Sequence, residues 1–220
     1  MSTITHVTDN AQEQIKNNHD EMILVVKREY LFPNGSWEGL RTDQLAHCLD
    51  TIAAQSEFHP RSLMENDPTY KQIIPYLIFQ HKSKFFLMQR KASASETRLQ
   101  SKYSLGIGGH MRLEDFKQGP DLFAWARREF EEEVAYTGSL EILPIGVLND
   151  DSNSVGQVHL GLVLLLSGDC ADISVKSELK SGQLMSMIEC FDYVHKMETW
   201  SQMMFMEILK KSIEMEEEAV

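Results

Sequence analysis

Arg127-Arg128-Glu129-Phe130-Glu131-Glu132-Glu133-Val134 is the stretch of this 220-residue chain best suited to chemistry. On an α-helix each residue advances about 100° around the axis, so Glu129, Glu132 and Glu133 share one arc of roughly 100° while Glu131 points the other way. Leu122, Ala126, Phe130 and Val134 repeat every four positions beside that arc, which puts the three carboxylates at the edge of the buried face. Carboxylates this close raise one another's pKa unless a cation lies among them. A hard divalent ion such as Mg2+ relieves the repulsion, prefers oxygen ligands and shares its shell with substrate phosphates. The chemistry that follows is metal-assisted attack of water on a phosphoryl group. The plainer alternative is a solvated acidic helix, with Arg128 paired to Glu132 at i, i+4 for about 0.2–0.5 kcal/mol.

The elements that must position these groups can be read from the pattern. Pro120 and Asp121 in the first turn and Gly138 just beyond the end predict a helix from about Pro120 to Val134. Upstream, Pro75 to Gln80 and Lys84 to Arg90 read as a hairpin, and Tyr103-Ser104-Leu105-Gly106-Ile107-Gly108-Gly109 as a glycine-punctuated strand open to close approach. Downstream come strands at Leu140–Leu148 and Val158–Leu166, then a helix from about Ser201 to Glu214 with Met204, Phe205, Ile208 and Leu209 on one stripe. Nearer the start, Met22 to Val26 reads as a strand and Gln44 to Ala54 as a helix burying Leu45, Cys48, Leu49 and Ile52. Ser56 to Thr69 reads as a loop. The chain thus divides into a polar, frayed segment 1–20, an N-terminal α/β extension over 21–69 packed on the core, and a main domain over 70–220. Strands mixed with a few helices indicate an α/β or α+β sandwich.

Composition narrows the partners. A net charge of −12 argues against a non-specific grip on nucleic acid or an anionic membrane. Cys48, Cys170 and Cys190 are scattered and form no C-x-x-C, which reads as reduced thiols in a cytoplasmic protein. No secretory signal is visible at the N-terminus, and the longest apolar run, Leu160 to Leu166, is far short of a membrane span. The eight histidines never stand within a helical turn of one another, so no local zinc motif is expected.

Gly108-Gly109-His110, a short connection, and Arg128-Glu129-Phe130-Glu131-Glu132-Glu133 resemble the box of the Nudix (MutT-like) hydrolases, G-x5-E-x7-R-E-U-x-E-E-x-G-U with U a bulky apolar residue. The hairpin and the strand His159-Leu160-Gly161-Leu162 resemble the usual surroundings of that box, so the likeness covers about Tyr70 to Glu214. The opening Glu21 to Phe32 is similar to the start of a bacterial subgroup called predicted Nudix phosphoesterases. Two departures stand out. Gly109 precedes Arg128 by nineteen residues where the pattern has fourteen, so the Met111–Gly119 loop carries an insertion, with Glu114 or Asp115 as substitutes for the first glutamate. Ala135 replaces the late glycine.

The resemblance implies a Nudix α/β/α sandwich with a mixed sheet, and Mg2+ or Mn2+ held by Glu129, Glu132 and Glu133. It implies further that Arg128 steadies a neighbouring glutamate and that Gly109 shapes the loop. The general base would be a box glutamate, Glu129 first, or a later carboxylate, with Glu178 ahead of Asp151. His110 and Arg90 are candidates for substrate phosphates. The implied reaction is hydrolysis of the diphosphate in a nucleoside diphosphate linked to a group X. The rival is a non-catalytic Nudix-fold module that senses a nucleotide or sugar nucleotide. Homodimer pairing through the edge of the apolar N-terminal strand would fit either.

Overall fold

Alternating side chains build two cores from the same strands. In the computed structural model, which describes residues 20–91, 101–118, 121–176 and 179–218 (117–118 and 211–218 as backbone only), the elements run in this order. They are β1 (Met22–Lys27), β2 (Gly39–Arg41), α1 (Leu45–Gln55), β3 (Glu57–Pro60), β4 (Tyr70–His81), β5 (Lys84–Arg90), β6 (Tyr103–Ser104) and β7 (Gly106–Gly108). After them come α2 (Leu122–Glu133), β8 (Val134–Tyr136), β9 (Leu140–Asn149), β10 (His159–Gly168), β11 (Ile173–Val175), β12 (Leu179–Ser186) and α3 (Thr199–Glu218).

The main sheet is ordered β12-β5-β4-β10-β9-β2, with β1, β3, β6 and β7 joined at its margins. The central β4–β10 pair is parallel and its other ladders are antiparallel, so the sheet is mixed. Along β4 and β5, Ile73, Leu77, Phe79, Phe86 and Met88 face a core closed by Cys48 of α1 and by Trp125, Ala126 and Phe130 of α2. The alternate positions Tyr76, Ile78, Phe85 and Leu87 face a second core closed by Met204 and Phe205 of α3. Period-two strands therefore dictate an α/β/α sandwich, as the sequence predicts. No helix among the described residues is long and apolar enough to cross a membrane.

Two local expectations are corrected. Glu57–Pro60 is a strand, not loop, because it pairs with β1 in the register Met22↔Pro60 to Val25↔Glu57, and a four-residue helical turn, Arg61–Met64, follows it. Pro60 closes the strand where a missing N–H costs no ladder bond. The box helix ends at Glu133, within a residue of the expected end, and Val134 takes an extended conformation that opens β8, which pairs with β11. The last helix begins at Thr199 and runs to Glu218. Segment 21–69 adds its strands to the main sheet, since β1 also pairs with β4 from Val25↔Gln72 to Lys27↔Tyr70.

Lys71 of β4 is wholly buried, and its Nζ donates to Asp151 Oδ1 (2.9 Å), Gly156 O (2.7 Å) and His159 O (3.1 Å). Arg28 is the second cation on Asp151. Burial lowers the Lys71 ammonium to about 8, while the two cations hold the Asp151 carboxyl well below the usual range, so the pair is ionic at neutral pH. Lys71→Met is expected to cost about 3 kcal/mol, because two buried carbonyls lose their donor and Asp151 loses one of its two cations. Urea unfolding measures this, and a loss under 1 kcal/mol would make the cluster incidental.

Candidate active site

Asp121 caps the box helix α2: its carboxylate accepts from the backbone N–H of Phe123 (3.0 Å) and Ala124 (3.1 Å). Ala126, Phe130 and Val134 are buried as the period predicts, and Trp125 joins them. That anchoring brings Glu129, Glu132 and Glu133 to the wall of a cleft of about 340 Å³, whose other lining residues are His110, Arg112, Asp115 and Arg128. Glu132 is exposed, whereas Glu129 and Glu133 are half-buried. Desolvation first, and then the Glu132 and Glu133 charges, push the Glu129 carboxyl up to about 7. Burial and the mutual repulsion expected of clustered carboxylates act together here.

Arg128 is tied down on the helix surface. Its Nη2 donates to Asp115 Oδ1 (2.7 Å), and its Nε lies 3.6 Å from Glu132 Oε1. Asp115 also accepts from Trp125 Nε1 (3.1 Å) and from the backbone N–H of Arg112 (2.8 Å). Asp115 stands six residues after Gly109, the interval between glycine and first glutamate in the box. The extra residues consequently fall between Asp115 and the helix, and the six-residue 3-10 helix Leu113–Gln118 takes up part of them. Glu114, the other candidate, is exposed and does not line the cleft.

Gly109 serves as more than a loop-shaping residue. A Cβ built on it would lie 2.2 Å from Glu129 Oε1 and 2.8 Å from its carboxyl carbon, so the glycine leaves the space that the carboxylate occupies. Next to it, His110 Nε2–H donates to Gln72 Oε1 (2.8 Å). Burial, together with the charges of Arg61, His159 and Arg112, lowers the imidazole to about 3, so it is neutral at physiological pH.

The other sequence candidates lie elsewhere. Arg90 ends β5, paired with Leu179 and outside the cleft lining. Asp151 is absent from that lining as well and is held by Lys71 and Arg28, which removes its case as a base. Glu178 lies outside the described residues. Sequence reasoning missed Arg112, whose Nη2 pairs with Glu21 Oε1 at 3.0 Å; a lone arginine in a loop carries no periodic signal.

With fold and cleft in place, the comparisons with known proteins fall into line. No protein-family model matches the chain. Protein YmaB of Bacillus subtilis (strain 168) is 35% identical over 199 residues, spanning 83% of this chain and 95% of its own. The crystal structure of Tm1382, placed among the Nudix hydrolases, superposes with a TM-score of 0.72 at 29% identity, covering 86% of this chain and 99% of that one. The Nudix domain of Shewanella oneidensis NrtR shares the fold, with a TM-score of 0.50 at 9% identity over 64% of this chain and 88% of that one. The mixed sheet, the capped box helix and these likenesses define a Nudix-type sandwich with a carboxylate-lined cleft. The chain belongs to the Nudix hydrolase family.

Proposed function

We propose that the protein hydrolyses the diphosphate of a nucleoside diphosphate linked to a further group X, with Mg2+ or Mn2+ held by Glu129, Glu132 and Glu133. The carrying observation is the convergence of Glu129, Glu132 and Glu133 on one cleft that also holds Arg112 and Arg128, where burial first and then the two neighbouring carboxylates raise the proton affinity of Glu129. An all-oxygen donor set with surplus negative charge fits a hard divalent cation. When bound, that cation polarises a phosphoryl oxygen and offsets the diphosphate charge.

The chain's own groups do the rest. Asp115 holds the Arg128 guanidinium at the cleft wall, where its Nε lies 3.6 Å from Glu132 Oε1 and steadies that glutamate. Glu129, set apart by burial and by the space at Gly109, takes the proton of the attacking water.

The test is a substrate panel of nucleoside triphosphates, sugar nucleotides, dinucleoside polyphosphates and dinucleotides with Mg2+ or Mn2+. The wild type is expected to cleave one class, and the Glu132→Gln/Glu133→Gln double variant to lose at least about 10²-fold in kcat, the scale of a lost electrostatic clamp. Unchanged turnover in the double variant would sink the assignment. Tight binding by the wild type without product would support the sensing role instead.

A further inference from the structure

Two arginines line the cleft, and they are held by different means. Arg128 is engaged from inside, because its partners Asp115 and Glu132 are themselves lining residues. Arg112 is engaged from outside. Its Nη2 pairs at 3.0 Å with Oε1 of Glu21, a residue just ahead of β1 that takes no part in the cleft lining. Among the described residues Glu21 is the one ion-pair partner of Arg112, so Nε and Nη1 remain for other acceptors.

The backbone beneath Arg112 is pinned. Met111 O accepts from the Leu24 N–H (2.8 Å), Arg112 bridges to Ile23 on the same strand, and the Arg112 N–H donates to Asp115 Oδ2 (2.8 Å). The side chain above it is 48% exposed. A fixed Cα therefore carries a flexible stem whose guanidinium can exchange one anion for another.

Glu21 can release that guanidinium at small cost. Its other oxygen, Oε2, accepts from Arg61 Nη1 (3.0 Å), and its backbone carbonyl accepts from the Arg61 N–H (2.9 Å), so its place and its charge stay provided for when Arg112 leaves. The Arg112–Glu21 pair is partly open to water, and pairs of that kind shift an equilibrium by no more than about fivefold. A diphosphate offers more, because its oxygens match the guanidinium fork in bidentate geometry and carry more charge than one carboxylate. Arg128 is less available. To reach the same ligand it must give up its 2.7 Å bond to Asp115, a carboxylate only 13% exposed.

We propose that Arg112 is a specificity-determining residue of the cleft, which receives phosphate oxygens of the substrate diphosphate, and that Glu21 holds its guanidinium until the substrate takes over. The assignment rests on the reading of the cleft as a diphosphate site. It also gives the N-terminal extension a part in recognition: β1 fixes the backbone of the box loop, and Glu21 sets how readily Arg112 engages.

The experiment is calorimetry of the full chain with methylenediphosphonate, a diphosphate analogue that water does not cleave, in the presence of Mg2+. The wild type is expected to bind, and Arg112→Gln to bind at least about tenfold more weakly, the scale of a lost charge-assisted hydrogen bond. Glu21→Gln is expected to act in the opposite sense, tightening binding about two- to fivefold by removing the competing anion. The double variant should match Arg112→Gln alone, since Glu21 acts only through Arg112. In turnover the same changes are expected in KM, with kcat within about threefold of the wild type. A merely structural pair would give losses in both single variants, and urea unfolding shows that each variant is folded. Glu21→Gln binding no more tightly than the wild type, or Arg112→Gln binding as well as the wild type, would overturn the role of Arg112 and leave the diphosphate site standing. No binding by the wild type would overturn the diphosphate reading together with the proposal.

Discussion

Glu129→Gln is expected to lower kcat by about 10²- to 10⁴-fold, the range that follows loss of a general base, in a protein that remains folded. Glutamine keeps the shape and fills the same space beside Gly109, so the packing of Phe130 and Ala126 beneath it is undisturbed. What disappears is a carboxylate whose proton affinity burial and two neighbours have raised to about 7. The same shift has a consequence for stability that needs no substrate. In the metal-free protein the folded state binds this proton more tightly than the unfolded state, so the stabilisation from a protonated Glu129 is full below about pH 4.5 and is lost as pH rises through about 7. The variant lacks that loss. Urea unfolding across this range should therefore show the wild type weakening relative to Glu129→Gln as pH rises, with the gap closing when Mg2+ is added. Turnover within threefold of wild type, or identical pH profiles for the two proteins, would remove Glu129 from the role given to it.

How much of this could be read from the chain depends on how local the cause is. The box helix was legible because one four-residue period, one N-terminal Asp and one carboxylate arc all act within fourteen residues. The sheet was legible where hydrophobic side chains alternate or run together, as in β4 and β10. It was not legible at Glu57–Pro60, whose strand character comes from pairing with β1, nor at β12, where Ser181, Gly182 and Gln183 lie opposite β5 without an apolar alternation to announce it. Asp115 shows a middle case. Its spacing from Gly109 was available in the sequence, but only its bonds to Arg128 and Trp125 distinguish it from Glu114.

Gly109→Ala should reproduce most of the Glu129→Gln defect without touching any ionisable group, a loss of about 10²-fold in kcat. The added methyl would come 2.2 Å from Glu129 Oε1, a separation no pair of unbonded atoms tolerates, so one of the two must move. The carboxylate is the end of a flexible side chain and the backbone at Gly109 has no positive φ to strain, so the side chain yields and the fold survives at a cost of about 1 kcal/mol or less. A displacement of about an ångström is enough to take the carboxylate off the position from which it acts. Gly156 is the control: there an added Cβ would meet the backbone oxygen of Asp150 at 1.7 Å, nothing flexible can give way, and Gly156→Ala is expected to fail in folding rather than in turnover. Paired urea unfolding and steady-state kinetics on the two alanine variants separate these outcomes. If Gly109→Ala turned over at the wild-type rate, the close approach of glycine and glutamate would have no part in catalysis, and the glycine would be left with a merely conformational role.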